Sequence, residues 1–408
     1  MTTTTHRSAG APEKTDPPIH AGSLGRLGLA VTEHRRLTAA VWVLLVVGLG
    51  IFAPRVEAEL SGAGWQADGS ASVSVREAAE TSFGGNASSA IQVVVRSTDG
   101  PVTEGAGAGV IAEVMETLEA DSRISTVFGP ESGAPISQDG STIVLLGGAG
   151  ADTNEMVRAA DDLKGPLQDL AVDGVQVNPT GSSLLWSDFN EANLEAMLKS
   201  EMISWPVTMA ILVLAFGALV AAGLPLLLTL AGLVASAGSL VLINQLVPVS
   251  IWAMNFAMMF ALALGIDYAL FLVVRYRAAR MGQGASPRAA IAQTMDTAGK
   301  AVLLSGVTVL ISLSAVMLVP SPSFRSMAGG IMLAVTFVLA ATLTLLPLVL
   351  FKLDMKINKL SLPWVNSGEH RSARFEAWGE RLWKHPVVFG TASTVVLLIL
   401  AAPIFGLQ

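Results

Sequence analysis

The sequence predicts an α-helical, multi-pass membrane protein of about seven spans, with an α+β domain outside the membrane. Three observations carry this. Of 408 residues, 52% are hydrophobic and only 14% are charged, whereas soluble globular chains average about 25% charged. Seven segments approach the roughly 20 mostly apolar residues that a bilayer crossing needs. One long polar region separates the first of these segments from the rest.

Residues 1–25 are rich in Thr, Pro, Gly and Ala, lack hydrophobic periodicity and read as a disordered cytoplasmic tail. Residues 26–53 hold the first span (37–53), an uncleaved anchor because it starts late and many spans follow. Residues 54–200 form the polar domain. Residues 201–351 hold spans two to six, at 203–222, 224–243, 251–274, 301–319 and 327–351. The second and third are joined by a tight turn in "AAGLP", with Pro206 and Pro225 near span starts, where a missing N–H costs little. Residues 352–385 form a cytoplasmic linker, and residues 386–408 hold a seventh span (386–404).

Basic residues orient the spans. Arg26, Arg35 and Arg36 precede the first; Arg275, Arg277, Arg280, Arg288 and Lys300 share one loop; Lys352, Lys356, Lys359, Arg371, Arg374, Arg381 and Lys384 share another. The positive-inside rule then places the N-terminus in the cytoplasm and residues 54–200 outside. That outer region holds 22 acidic and 7 basic residues, a net of 7 − 22 = −15, and reads as a solubilising surface.

Within it, "SAIQVVVRS" reads as a strand and residues 109–120 as an amphipathic helix, with Val110, Ile111, Val114 and Leu118 at helical spacing. "EGAGAG" before them reads as a flexible lead-in. "ISTVFG" and "STIVLLGG" are strands. Asp152 with Glu155 three residues on starts a capped helix, which Pro166 should break or kink. "GVQVNPTG" is a last strand. The order βαββαβ is the ferredoxin-like pattern, which fixes no function. A weak internal repeat pairs residues 33–54 with 383–406: a basic/His start, a short apolar span and an Ala-Pro near the end.

The chain has no cysteine, so disulfide and thiol chemistry are excluded. His6, His20, His34, His370 and His385 all avoid the spans and the outer domain, which argues against a His-based metal site. Gly299-Lys300 is followed by alanine and has no upstream glycine at phosphate-loop spacing. No nucleophile–base set, cofactor motif or nucleic-acid signal is present, so the chain reads as a non-enzyme. "NAS" at Asn86 has the form of a glycosylation acceptor.

The informative exception is Asp267, in "MFALALGIDYALFLVVRYR". It lies eight residues before Arg275, about 12 Å along the helix axis at 1.5 Å per residue. A charge at mid-bilayer costs at least about 2.5–3.5 kcal/mol, so the expected state is a proton-holding acid or a partnered ion. Ala257, Ala261, Gly265 and Ala269 form a small-residue stripe that allows close helix contact. Asp267 sits about 200° from Gly265, and Tyr268 flanks the stripe. Two faces thus want partners, which describes a central helix. Ser305, Thr308 and Ser312, on one face of the fifth span, are candidate relay support, unless they bond their own backbone. Thr336, Thr342 and Thr344 are weaker candidates.

"GIDYALFLVVRYR" (265–277), "FGALVAAGLPLL" (216–227), "GKAVLLSGVTVLISL" (299–313) and "FRSMAGGIMLAVTFVLAATLTLLP" (324–347) resemble the MMPL family (mycobacterial membrane protein, large) of the resistance–nodulation–division transporter superfamily. The resemblance implies proton-driven export of lipids or other hydrophobic molecules across the plasma membrane, and a porter-like role for the outer domain. It implies Asp267 as proton carrier and Tyr268 as its cross-helix hydrogen-bonding partner. It also implies two homologous halves with an Asp-Tyr pair in each. This sequence carries the first half plus one span, so a second half is expected but absent. The alternative is a non-transporting membrane scaffold or lipid-sensing accessory on the same fold.

Overall fold

A computed structural model describes residues 21–60, 67, 69–83, 90–361 and 373–402. Most of the expected tail, His6, His20, His370 and Asn86 lie outside the described residues.

The chain opens with α1 (Ser23–Glu33) and α2 (Arg35–Gly50), followed by the short α3 (Val56–Glu59) and α4 (Ala71–Phe83). An α/β domain comes next: β1 (Ile91–Ser97), α5 (Gly105–Glu119), β2 (Ile124–Phe128), β3 (Thr142–Ala149), α6 (Thr153–Gln168) and β4 (Val175–Thr180). All strand pairs are antiparallel, in the order β2-β3-β1-β4. Alternate residues of β1 and β3 (Ile91, Val93, Val95, Ile143, Leu145) are fully buried. They meet Val114 and Leu118 of α5 and Met156 and Leu167 of α6 in one core. Asp152 caps α6, its carboxylate accepting from the backbone N–H groups of Asn154 (2.8 Å) and Glu155 (3.1 Å).

Then follow α7 (Ser182–Phe216), α8 (Leu219–Asn244), α9 (Ile251–Arg277), α10 (Pro287–Thr294), α11 (Lys300–Val316), α12 (Pro322–Ala340) and α13 (Leu346–Leu353). Six helices are long and apolar enough to cross a membrane among the described residues, and a bent pair supplies a seventh candidate. The chain is therefore mostly helical and polytopic, with a small antiparallel sheet.

Four local readings are corrected. The break between the second and third spans lies at Gly217, not in "AAGLP"; Gly217 ends α7 with φ +67°, a left-handed conformation that glycine adopts without cost. Pro206 and Pro225 lie inside α7 and α8 rather than at span starts. Pro166 does not stop α6, which runs on to Gln168, so the proline falls in the last turn. "EGAGAG" is no loose lead-in: α5 starts at Gly105, with Glu104 preceding it.

Two features exceed the sequence reading. The 35 residues of α7 extend about 52 Å at 1.5 Å per residue, against a hydrocarbon layer of about 30 Å. Its first half, SSLLWSDFNEANLEAM, packs on α6 and carries the α/β domain directly on a span. The helices at the two stretches of the weak repeat also share a layout. In a second unit, α14 (Ala373–Lys384) and α15 (Pro386–Ala401) meet at His385, as α1 and α2 meet at His34. Both copies place a helix of 11 or 12 residues before one of 16.

Candidate functional site

Helix α9 starts at Ser250, whose hydroxyl accepts from the Trp252 N–H at 3.4 Å. Its small-residue stripe is a packing face. Ala257, Ala261 and Ala269 are fully buried, and Gly265 lies against Thr229 of α8 so closely that a Cβ there would collide with the Thr229 hydroxyl. That hydroxyl in turn donates to the Pro225 carbonyl at 2.9 Å. Helix α9 packs chiefly on α8 and α12. The most enclosed spans are α8 and the α12–α13 span, while α9 is buried on one side only. The small side chains that bring α9 close to α8 and α12 all lie on one face, and within this chain the Asp267 face is left uncovered.

The opposite face carries Asp267, which is exposed and has no hydrogen-bond partner among the described residues. Tyr268, one residue on and about 100° round the helix, is buried. Its hydroxyl lies 3.4 Å from the Ser305 hydroxyl of α11. Of the three candidate support residues, Ser305 is thus brought to the pair, through Tyr268 rather than Asp267. Thr308 and Ser312 donate to the Leu304 and Thr308 carbonyls at 2.8 and 2.9 Å. Thr336 and Thr342 likewise bond their own helix. Thr344 accepts from the Trp42 indole at 2.9 Å and ties α2 to the sixth span. The arrangement offers an ionisable carboxyl on an uncovered helix face, beside a buried phenol linked to a neighbouring span.

Three polar joints were not legible in the sequence. Asp296 accepts from the backbone N–H groups of Gly22 (2.6 Å) and Gly25 (2.9 Å), capping α1 from a distant segment, and Arg288 pairs with Glu33. Asp354 receives Arg280 through two bonds of 2.7 and 2.9 Å and the Tyr276 hydroxyl at 3.1 Å. The Glu59 carbonyl accepts from both Arg158 of α6 (2.5 Å) and Asn244 of α8 (2.9 Å), joining the α/β domain to a span. All three bridge residues far apart in sequence, so no local spacing announces them.

A cavity of about 820 Å³ opens beside the third joint, between α6 and α7. Its charges are internally paired: Lys164 reaches Asp188 (2.5 Å) and Glu191 (2.8 Å), and Arg123 reaches Asp162 (2.9 Å). The hydrogen bond from Arg123 pulls the Asp121 carboxyl below its ordinary value, and the bonds to Asp188 and Glu191 push the Lys164 ammonium up. No group of three or more metal-ligating side chains occurs among the described residues.

Fold and site together define a multi-pass membrane protein with an α/β domain borne on its second span and an ionisable residue within its fourth. The chain belongs to the MMPL family, whose family model matches residues 64–386 and whose members are transporters rather than enzymes. It is 29% identical to the mycolic acid-containing lipids exporter MmpL11 of Mycolicibacterium smegmatis, over 94% of this chain and 41% of that protein. It is 22% identical to the trehalose monomycolate exporter MmpL3 of the same organism, over 92% of this chain and 41% of that protein. With the heme uptake protein MmpL11 of Mycobacterium tuberculosis it shares 34% identity over 50% of this chain and 21% of that protein. The chain spans about two fifths of the length of the first two relatives.

Proposed function

We propose that this chain is the N-terminal half of a proton-motive-force-driven transporter that exports lipid or other hydrophobic molecules, with Asp267 as the proton carrier. The observation that carries the reading is the contrast between two adjacent residues. Asp267 lies on an uncovered face of α9, while Tyr268 is buried and reaches α11. A charged carboxylate in hydrocarbon costs at least about 2.5–3.5 kcal/mol, so Asp267 either holds a proton or meets a partner supplied by a second half. Gaining a proton removes the charge and the need for that partner; losing it restores both. Cycling between the two states biases helix packing, and α7 carries the change to the α/β domain.

Hydrophobic cargo is supported by the relatives' names, which give lipids for two and heme for the third. Export is favoured because the two exporters match more than nine tenths of this chain. We read the α/β domain as ferredoxin-like and porter-like; the element order and the strand order β2-β3-β1-β4 support this. The basic residues before α2 and after α9 support a cytoplasmic N-terminus in the plasma membrane. A lipid-sensing role is the second reading, favoured by a groove of about 320 Å³ among α7, α8 and α9, whose lining includes Trp205, Leu226, Met259 and Ile266. Efflux by the complete transporter separates them. Asp267→Asn should abolish proton-coupled efflux in protein that folds normally, and Asp267→Glu should retain part of it. Efflux at the wild-type rate in Asp267→Asn contradicts the relay.

A further inference from the structure

Helix α7 carries the α/β domain, yet little holds its membrane half. From residue 188 to its end at Phe216, only Leu212 and Phe216 are buried. Helix α9, which bears Asp267, grips it at two points. At the outer end, the rings of Phe189 in α7 and Trp252 in α9 lie 5.5 Å apart. At the inner end, the half-buried Arg277 donates to the Phe216 carbonyl at 2.7 Å. The two ties are 216 − 189 = 27 residues apart on α7 and 277 − 252 = 25 apart on α9. At 1.5 Å per residue these are nearly equal lengths, about 40 and 38 Å. Between the ties lies the groove of about 320 Å³, lined by Trp205 of α7 and by Met259 and Ile266 of α9.

The inner tie falls where α7 has freedom to swing. Gly217 and Ala218 alone separate α7 from α8, and Gly217 has φ +67°. The last carbonyls of a helix have no intrahelical partner, and a cation there is favoured by the helix dipole. A hydrogen bond from a guanidinium is also stronger than one between neutral groups. Arg277 thereby holds the α7 side of this corner. The α8 side is held separately, by the Leu219 N–H donating to the Leu360 carbonyl at 3.3 Å. The footing of Arg277 is firm, because Tyr276 and Arg280, one turn apart on α9, both bond Asp354 at the end of the sixth span.

We propose that Arg277 is a positioning residue that couples α9 to α7. Through its bond to the Phe216 carbonyl, with the Phe189–Trp252 contact as the outer tie, movement of the helix bearing Asp267 passes to the helix bearing the α/β domain. The inference rests on the proton-coupled reading for what moves α9, and it names the contact that transmits the movement.

Arg277→Met keeps an apolar stem and has no donor, whereas Arg277→Lys keeps both a charge and a donor. Proton flux and outward movement of a fluorescently labelled phospholipid would be followed together in vesicles bearing the complete transporter. Arg277→Met should retain proton flux but lose lipid movement at least about tenfold, in line with the loss of a hydrogen bond to a charged group. Arg277→Lys should recover part of it. An unchanged ratio of lipid to protons in Arg277→Met would overturn the proposal. So would a joint fall of both fluxes with the melting temperature, which would mean a structural role only. A second measurement needs no proton gradient. The 408-residue chain has no cysteine, so paired spin labels can be placed at Leu214→Cys and Val274→Cys, exposed positions of α7 and α9. The distance distribution between them should be narrow with Arg277 in place and broad in Arg277→Met. An unchanged distribution would overturn the tie. If the wild-type transporter moves no protons, the proton-coupled reading falls alone, and the spin-label result still decides whether Arg277 holds α7.

Discussion

Gly265 and Asp267 show how two residues on one helix take opposite tasks. Gly265 lets α9 touch Thr229, so Gly265→Ala should destabilise the protein by about 1–3 kcal/mol through overpacking. Thr229→Ala should recover part of that loss in the double variant, because it removes the hydroxyl that a Cβ would strike. Thermal melts in detergent check this; strictly additive losses would mean the two do not touch. Tyr268→Phe deletes the hydroxyl facing Ser305 and should weaken transport while leaving the melt near wild type, since the Ser305–Tyr268 bond is long. Outside the membrane, Asp139 accepts from the Ser137 hydroxyl and from the Ser141 hydroxyl and N–H, which lower its carboxyl from 3.8 to about 2. A lowered carboxyl favours the folded turn above its ordinary value and loses that contribution as pH falls from 3.8 toward about 2. A carbon-13 titration should find the midpoint near the lower figure; one near 3.8 would show that the turn does not hold the anion.

At the scale of elements, legibility followed locality. Asp152 and Glu155 announce the start of α6, and Asp152→Ala should cost the α/β domain about 1 kcal/mol, read by denaturant unfolding. The stripe of Ala257, Ala261, Gly265 and Ala269 announced the packed face of α9 because burial on a helix repeats every turn. The ends of elements were harder. Pro166 was expected to break or kink α6, but it falls in the last turn, so only the Asp162 carbonyl loses its helical N–H partner and two residues remain to be wound after it. Helix α7 hid its first half because that half packs on α6 of the α/β domain and carries the polar residues such packing allows. Asp296 could not be found at all, since it caps α1 from 274 residues away. Asp296→Ala should therefore speed hydrogen exchange at Gly22 and Gly25 without altering exchange in the strands; unchanged exchange at those glycines would remove the cap.

For the whole molecule, membrane class, six of the seven expected spans and the presence of an α/β domain were legible from composition and period alone. The way the domain is borne on the membrane helices was not, because it rests on α7 and on the Glu59 carbonyl shared by Arg158 and Asn244. Arg158→Ala should loosen that joint and lower transport more than it lowers stability, as a pair of transport and melting measurements would show. The central claim is that Asp267 carries the proton. Proton flux into vesicles bearing the complete transporter, followed with an internal pH dye under an imposed gradient, tests it most directly. The account predicts that Asp267→Asn abolishes the flux while Asp267→Glu keeps part of it. Flux at the wild-type rate through Asp267→Asn protein that reconstitutes and melts normally would contradict it.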